Sequence, residues 1–205
     1  MIDKIVIDLD GTTWNLIKCI TDLYNEDFKF YSKFKPINWT EVKTWDFQEL
    51  ELATPEYINY YFNQPRFFEK VQLMECAQEV IDWLSERFEI IFCSMCHSPN
   101  GRAKDKWIKE NFPYAKFLNV NFKEYPDKSH LDMTGAIFLD DTGRNLETSN
   151  ATIKICFGEI YPWNESWDGD RCYNWLDFKN YIEDLNHAGY FDETGDSDSS
   201  GTGLQ

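Results

Sequence analysis

The sequence predicts an α/β fold with three layers, in which helices cover both faces of a Rossmann-like, mostly parallel sheet. Short runs of apolar, β-branched residues recur along the chain, as expected of strands that are buried on both faces. Segments with apolar residues at helical spacing separate these runs, and such an alternation is typical of βα units. A third observation, the unusual length of chain between the first two strong strands, predicts a helical cap inserted after the first strand.

Five apolar segments are the strand candidates. The first, Lys4–Ile7, stops abruptly at the acidic sequence Asp8-Leu-Asp-Gly-Thr12. The others, of which Lys116–Val120 is the weakest, follow in chain order: Glu89–Cys93, Lys116–Val120, Ala136–Leu139 and Ile153–Phe157. Between them, residues 76–88, 99–112 and 175–185 carry apolar side chains on one helical stripe, which predicts three helices of the core.

The stretch from Asp8 to Ser94 is far longer than the roughly 30 residues of a simple βαβ unit. Its surplus has helical features, including a helix start at Thr54, where a good N-cap residue precedes proline. We therefore predict a helical cap over residues 14–72 and an α/β core formed by residues 1–13 and 73–188. The cap is rich in aromatic residues, which either form its own core or line a lid over a planar ligand, and the two interpretations are compatible.

The last segment, residues 189–205, is rich in Gly, Ser and acids and contains no base. This composition predicts a flexible acidic tail.

Acidic residues outnumber basic ones by 36 to 20, which gives a formal net charge of −16 at pH 7. This charge argues against a nucleic-acid polymer or an anionic membrane as the main partner, because both need a basic face. No apolar run approaches the roughly 20 residues of a membrane span. The N-terminus becomes acidic too early for a signal peptide, so we expect a cytoplasmic protein.

The six cysteines are expected to be reduced thiols in such a protein. The segment Cys93-Ser-Met-Cys96-His97 has the spacing of a c-type haem attachment site. Haem attachment requires export, and zinc would need two more ligands, so we expect neither group at this motif. A redox pair of the two cysteines is the alternative.

Pairs of carboxylates follow two of the predicted strands. Asp8 and Asp10 come directly after the first strand, and Asp140 and Asp141 end the strand near residue 139. Because ligands bind at the carboxyl ends of strands in open α/β sheets, these acids are candidates for one site. They would repel one another without a cation, and Mg²⁺ suits oxygen ligands and phosphate substrates. A simple turn is the alternative explanation for a lone Asp-x-Asp-Gly sequence.

Two further elements complete a pattern. Ser94 ends the second strong strand, and Lys128 lies in a polar loop ahead of Asp140. In this order, the four elements resemble the motifs of the haloacid-dehalogenase-like (HAD) phosphohydrolases, over roughly residues 4–157. The large insertion, the segment Asn63–Glu69 and the sequence Asp127-Lys-Ser129 look in particular like those of the 5′(3′)-deoxyribonucleotidases.

The resemblance implies a role for each acid. Asp8 would attack phosphorus and form an aspartyl-phosphate, while Asp10 would protonate the leaving oxygen and then deprotonate water. Mg²⁺ would bind Asp8, the main-chain carbonyl of Asp10 and Asp140, with Asp141 in direct or indirect support.

Two further residues are implied to bind phosphate. Ser94 would donate a hydrogen bond to a phosphoryl oxygen, and Lys128 would offset the negative charge between Asp8 and the phosphate. Lys104 and Lys123 are the alternatives to Lys128 at this position.

Three aromatic residues, Trp45, Phe67 and Phe68, are candidates for enclosing a nucleobase, against the alternative that they belong to the core of the cap. The function expected is a Mg²⁺-dependent phosphomonoesterase that hydrolyses (deoxy)ribonucleoside monophosphates to nucleoside and phosphate. The alternatives are a HAD phosphatase for a sugar phosphate or another small metabolite, and a catalytically silent HAD-like binding protein. A homodimer is left open.

Overall fold

The computed structural model of the protein describes residues 2–191. Six parallel strands form one sheet within these residues. They include all five candidate strands, with Lys116–Val120, the weakest of them, among the six. The strands are β1 (Lys4–Asp8), β2 (Glu89–Met95), β3 (Lys116–Val120), β4 (Ala136–Asp140), β5 (Ile153–Phe157) and β6 (Arg171–Cys172). Their spatial order is β3-β2-β1-β4-β5-β6, and every neighbouring pair is parallel. The predicted α/β fold is confirmed.

Seven α-helices and one short 3-10 turn at Trp39–Glu41 are described in the same part of the chain. The helices are α1 (Leu16–Phe28), α2 (Pro55–Tyr61), α3 (Pro65–Lys70), α4 (Ala77–Ser85), α5 (Ser98–Asn111), α6 (Gly143–Thr148) and α7 (Trp175–His187). None of these helices has the length and apolar character that crossing a bilayer requires.

Both faces of the sheet are buried. Strand side chains alternate in direction, so each strand contributes side chains to both faces. Along β1, Ile5 and Ile7 join a large apolar cluster that also holds residues of α1, α4 and α7. Val6 points the other way, into a second cluster with Phe138 of β4 and Leu146 of α6. Continuous apolar strands therefore serve two cores, and the polar residues are left at the strand ends.

The segment between β1 and β2 contains α1, α2 and α3. Thr54 caps α2 by accepting a hydrogen bond from the Tyr57 amide, with Pro55 at the first turn, as the sequence predicts. The two connections to the core lie side by side, because the Asn15 amide donates to the Gln72 carbonyl at 2.9 Å. This pairing supports our division of the chain at residues 14 and 72, which stays a prediction.

The predicted tail, residues 189–205, lies outside the described residues except for its first three. Of these, Phe191 is buried and packs on Phe88 with ring centroids 5.0 Å apart. The packed part of the fold thus reaches at least this residue.

Candidate active site

The turn after β1 is shaped by a glycine with a positive φ angle. Gly11 has φ +86°, and a Cβ atom at this position would overlap the carboxylate of Asp141. Thr13 closes the turn by donating its hydroxyl to the carbonyl of Asp8 at 2.7 Å. This local geometry brings Asp8, Asp10 and Asp141 to the same edge of the sheet.

A buried lysine joins two of the predicted carboxylates. Lys128 Nζ lies 2.5 Å from Asp8 Oδ1 and 2.6 Å from Asp140 Oδ2, and all three side chains are at least 90% buried. Its third hydrogen bond goes to the carbonyl of Cys93 at 2.9 Å. Because β1 and β4 are neighbours in the sheet, residues far apart in the chain meet here. Lys123, one of the two alternatives to Lys128, is exposed.

Asp140 is held by further donors. Its Oδ1 accepts from the amide of Thr142 at 2.8 Å, and Asn145 Nδ2 lies 3.2 and 3.1 Å from its two oxygens. Asn145 was not predicted as a site residue. Asn145 lies in the first turn of α6, which begins just after the paired acids. This position is the signal in the sequence by which Asn145 could have been predicted.

Ser94 and Asp10 belong to a second group at the site, together with Lys104. Ser94 Oγ donates to Asp10 Oδ2 at 2.9 Å. Lys104 Nζ forms an ion pair with the same oxygen and donates to Ser94 Oγ at 2.8 Å. Two of the three lysines that the sequence offered, Lys128 and Lys104, therefore lie among these acids, and they pair with different carboxylates. Lys104 shares a helix face with Trp107 and Ile108, and a lysine on a buried face was the available signal.

Asp141 is positioned by a loop that follows β5. Trp163 Nε1 donates to Asp141 Oδ2 at 3.1 Å, and Asn164 Nδ2 donates to the main-chain carbonyl of Asp141 at 2.9 Å. Neither residue was predicted, because a loop that returns to the sheet edge leaves no periodic pattern in the sequence.

Four carboxyl groups share this site with two lysines, and burial together with mutual repulsion disfavours the charged form of some of the acids. Burial raises the pKa of Asp8 to about 7, with Lys128 opposing and the neighbouring Asp140 and Asp10 adding to the rise. Burial, Asp8 and Asp140 likewise hold the pKa of Asp141 well above its ordinary value. Although burial alone would lower it, the pKa of Lys128 is well above its usual range because Asp140 and Asp8 face it.

The oxygen donors of the site are of the type that binds a divalent cation, but their spacing here accommodates the ammonium of Lys128. Several carboxylates converge with too little positive charge, and oxygen ligands are those that Mg²⁺ prefers. One carboxylate oxygen of the group, Asp10 Oδ1, is buried and has no hydrogen-bond partner. Among residues 2–191, no three His, Cys, Asp or Glu side chains are arranged as a complete metal cluster, and Lys128 lies between Asp8 and Asp140.

An aromatic cleft of about 210 Å³ opens beside Asp141 and Gly11. Trp45 lines it from the segment before α2, and its ring meets that of Trp163 edge-on at 5.4 Å. Trp163 in turn stacks on Tyr161 at 4.4 Å. Of the three predicted pocket aromatics, Trp45 is thus the one beside the acids, and Trp163 and Tyr161 were missed.

The structure corrects the other two pocket predictions. Phe67 has no exposed surface and packs edge-on against Trp14 at 6.1 Å, so its ring cannot contact a substrate in this cleft. Phe68 lines a separate surface depression with Trp107 and Pro65. Both rings pack against Trp14 and against each other, and neither lines the cleft.

The six cysteines are all free thiols. Cys93 and Cys96 are buried, and burial raises the pKa of Cys93 to about 12. These two residues therefore behave as core thiols at the end of β2.

Comparisons with known proteins agree with this geometry. A family model described as "5′ nucleotidase, deoxy (Pyrimidine), cytosolic type C protein" matches residues 1–187. A 5′(3′)-deoxyribonucleotidase of Clostridium acetobutylicum is 29% identical over 180 residues, which cover 87% of this chain and 94% of that protein. A HAD family hydrolase from Deinococcus radiodurans, solved with bound phosphate and sodium, has a TM-score of 0.62 at 12% identity and covers 90% of this chain and 96% of its own. A HAD-hydrolase structure from Bacillus subtilis bound to magnesium has a TM-score of 0.55 at 13% identity, over 88% of this chain and 98% of its own.

Proposed function

The chain belongs to the family of the 5′ nucleotidase, deoxy (pyrimidine), cytosolic type C proteins, and we propose that it hydrolyses (deoxy)ribonucleoside monophosphates to nucleoside and phosphate. The resemblance to HAD-like phosphatases is confirmed, and the chain is a phosphoric monoester hydrolase of that type. The mechanism, the cation and the substrate are the parts that we add.

One observation carries the proposal. Asp8 and Asp140, which are 132 positions apart in the numbering, both contact the ammonium of Lys128 at the carboxyl edge of the sheet. Asp10 and Ser94 lie in contact with one another at the same edge. A site with two acids at the end of β1, a hydroxyl near the end of β2 and a lysine against the acids is suited to transfer of a phosphoryl group.

The chemistry proposed runs in two steps. In the first, Asp8 attacks phosphorus while the ester P–O bond breaks, and Asp10 gives its proton to the leaving oxygen. In the second, Asp10 takes a proton from water while the water oxygen bonds to phosphorus, which frees Asp8 and releases phosphate. Lys128 supplies a positive charge to the phosphoryl oxygens. Ser94 has a single hydroxyl proton, which it donates to Asp10 Oδ2, so we assign Ser94 to Asp10 rather than to the phosphate.

We propose Mg²⁺ as the cofactor, held by Asp8, the main-chain carbonyl of Asp10 and Asp140, with Asp141 in support. When bound, Mg²⁺ would offset the charge of the phosphoryl oxygens and of the crowded carboxylates. The magnesium and phosphate named in the structures of the two HAD hydrolases support this choice.

The aromatic cleft is our candidate for the planar base of the substrate. Trp45 and Trp163 line this cleft together with Asp141. Stacking on such rings contributes about 1–3 kcal/mol per base. The relative named a 5′(3′)-deoxyribonucleotidase supports a nucleotide rather than a sugar phosphate. The word cytosolic in the family description supports our expectation that the enzyme acts in the cytoplasm.

The test is phosphate release from a panel of 5′ and 3′ deoxyribonucleotides, ribonucleotides and sugar phosphates, first with Mg²⁺ and then with EDTA. We expect turnover of nucleoside monophosphates that EDTA abolishes and added Mg²⁺ restores. Turnover of sugar phosphates alone would favour the alternative substrate class. No turnover of any compound would favour a silent binding protein and contradict the proposal.

A further inference from the structure

Lys104, Ser94 and Asp10 form a closed triangle of polar contacts in the interior of the site. Lys104 lies in the middle of α5, and only 1% of its side chain is exposed. Its ammonium contacts Asp10 Oδ2 and lies 2.8 Å from Ser94 Oγ, while Ser94 Oγ lies 2.9 Å from the same carboxylate oxygen. Each member of the triangle thus touches the other two.

The two carboxylate oxygens of Asp10 differ in their hydrogen-bond partners. Oδ2 accepts both the ammonium of Lys104 and the hydroxyl of Ser94. Oδ1 is also buried, yet it has no hydrogen-bond partner. A buried carboxylate oxygen without a donor is costly, so an orientation that leaves one oxygen free must be enforced by the contacts of the other.

Packing alone does not explain why a lysine occupies position 104. Its ammonium is removed from water and would be strongly unfavourable there without the carboxylate of Asp10. The Trp14 ring, 5.6 Å from Nζ, packs against the same ammonium. Lys128 serves a different pair of acids, Asp8 and Asp140, so the two lysines are not redundant.

We propose that Lys104 is a positioning residue of the reaction: with Ser94 it clamps Oδ2 of Asp10, so that Oδ1 is the oxygen that carries the proton. This inference rests on the proposed function. In the first step, the proton on Oδ1 moves to the leaving oxygen as the ester bond breaks and the bond from Asp8 to phosphorus forms. In the second step, Oδ1 accepts a proton from water as the water oxygen bonds to phosphorus and the bond to Asp8 breaks.

The leaving group provides the test. A nucleoside alkoxide needs a proton as it departs, whereas 4-nitrophenolate is a stable anion that needs none. The clamp variant is Lys104→Met, and the matched control is Lys106→Met, which removes a lysine 77% exposed on the same helix. Single-turnover release of the leaving group is measured for deoxyuridine 5′-monophosphate and for 4-nitrophenyl phosphate, alongside kcat and KM.

We expect Lys104→Met to slow release of the nucleoside about 100-fold, the lower end of what general acid catalysis supplies. Release of 4-nitrophenolate should fall less than about 10-fold, KM should change little, and Lys104→Arg should recover part of the lost rate. Lys106→Met should match the wild type with both substrates.

Equal losses with the two leaving groups, or a change confined to KM, would overturn the inference, since either result describes a phosphate-binding or purely structural lysine. If Lys104→Met does not fold, as judged by circular dichroism, Ser94→Ala carries the same comparison, because it removes the other donor to Oδ2. Equal losses in that variant would overturn the inference as well.

A wild-type enzyme without turnover of nucleotides would overturn the proposed function and this inference with it. Wild-type turnover combined with equal losses in the variant would overturn the inference alone.

Discussion

Acids in two regions of this molecule have opposite electrostatic surroundings. Between α1, α2 and α3, Asp27 accepts hydrogen bonds from both terminal nitrogens of Arg66 and from the hydroxyls of Tyr57 and Tyr61. Hydrogen bonds from Arg66 hold the pKa of Asp27 below its ordinary value. At the sheet edge, burial and neighbouring carboxylates instead raise the pKa of Asp8 to about 7.

This difference is what we expect if Asp27 has a structural role and Asp8 the catalytic role that we propose. The donors around Asp27 satisfy its charge and tie α1, α2 and α3 together. The acids around Asp8 compete for one ammonium, Lys128, and stay short of positive charge. Such crowding destabilises the protein alone and favours the binding of a cation, which would also offset the charge of an anionic phosphate ester. Perturbed acids of this kind are candidates for functional sites.

The largest expected effect comes from Asp8→Asn. The amide cannot attack phosphorus, so we expect turnover to fall by at least about 10³-fold, while the fold persists because one repelling charge is removed. Phosphate release and thermal unfolding are measured together. The control is Asp184→Asn, an exposed acid of α7, which should match the wild type. Turnover of the Asp8 variant near the wild-type rate would contradict the role of nucleophile.

Lys128→Met should reduce both activity and stability. It leaves Asp8 and Asp140 facing one another without their ammonium, and breaking a buried ion pair costs about 3–5 kcal/mol. Added Mg²⁺ should raise the melting temperature of this variant more than that of the wild type, because the cation replaces the lost charge. An unchanged melting temperature, with or without Mg²⁺, would show that the lysine does not balance these acids.

Trp163→Phe tests the link between the cleft and the acidic site. Phenylalanine keeps a ring in the cleft but removes the Nε1 donor to Asp141. We expect turnover to fall several-fold, because a typical hydrogen bond contributes about 0.5–1.5 kcal/mol. Phe68→Leu, outside the cleft, is the control and should leave KM for nucleotides unchanged. The opposite ranking of the two variants would contradict our choice of cleft.

The smallest effect on stability is expected from the ion pair of Arg66 and Asp27 between α1 and α3. Arg66→Met should lower the free energy of unfolding at pH 7 by about 1 kcal/mol, because the pair with Asp27 is partly exposed. The folded state lowers the pKa of Asp27, so its contribution is present above the unfolded pKa of about 3.9 and is lost as the pH falls through the folded pKa. The gap between wild type and variant should therefore narrow in acid, as measured by urea unfolding at pH 7 and pH 3. A gap that widens in acid would contradict this assignment, and turnover should be unaffected in either case.

Much of the fold could be predicted because the strands are nearly continuous apolar runs. β6 contains only two residues, Arg171 and Cys172, and no periodicity can show in so short a strand. α6 begins at a glycine and carries mostly polar residues, so its place depends on the turn after Asp140 rather than on an amphipathic pattern. Both elements are fixed by their neighbours in space.

The acids of the site could be predicted because they stand at strand ends, where the chain order alone brings them to one edge. The aromatic contacts could not be assigned in the same way. Phe67 and Trp45 look alike in the sequence, but one fills the core and the other lines the cleft. Trp163 reaches Asp141 from a loop 22 positions later in the chain, a contact that only the folded sheet creates.

The central claim is that Asp8, in its crowded acidic site, is the residue that bonds to phosphorus. Rapid acid quenching of the enzyme during turnover of a nucleotide with radiolabelled phosphate, followed by peptide mapping, tests it most directly. The account predicts label on the peptide that contains Asp8, sensitive to hydroxylamine, and none on that peptide in Asp8→Asn. Label on another residue, or labelling that survives in Asp8→Asn, would contradict it.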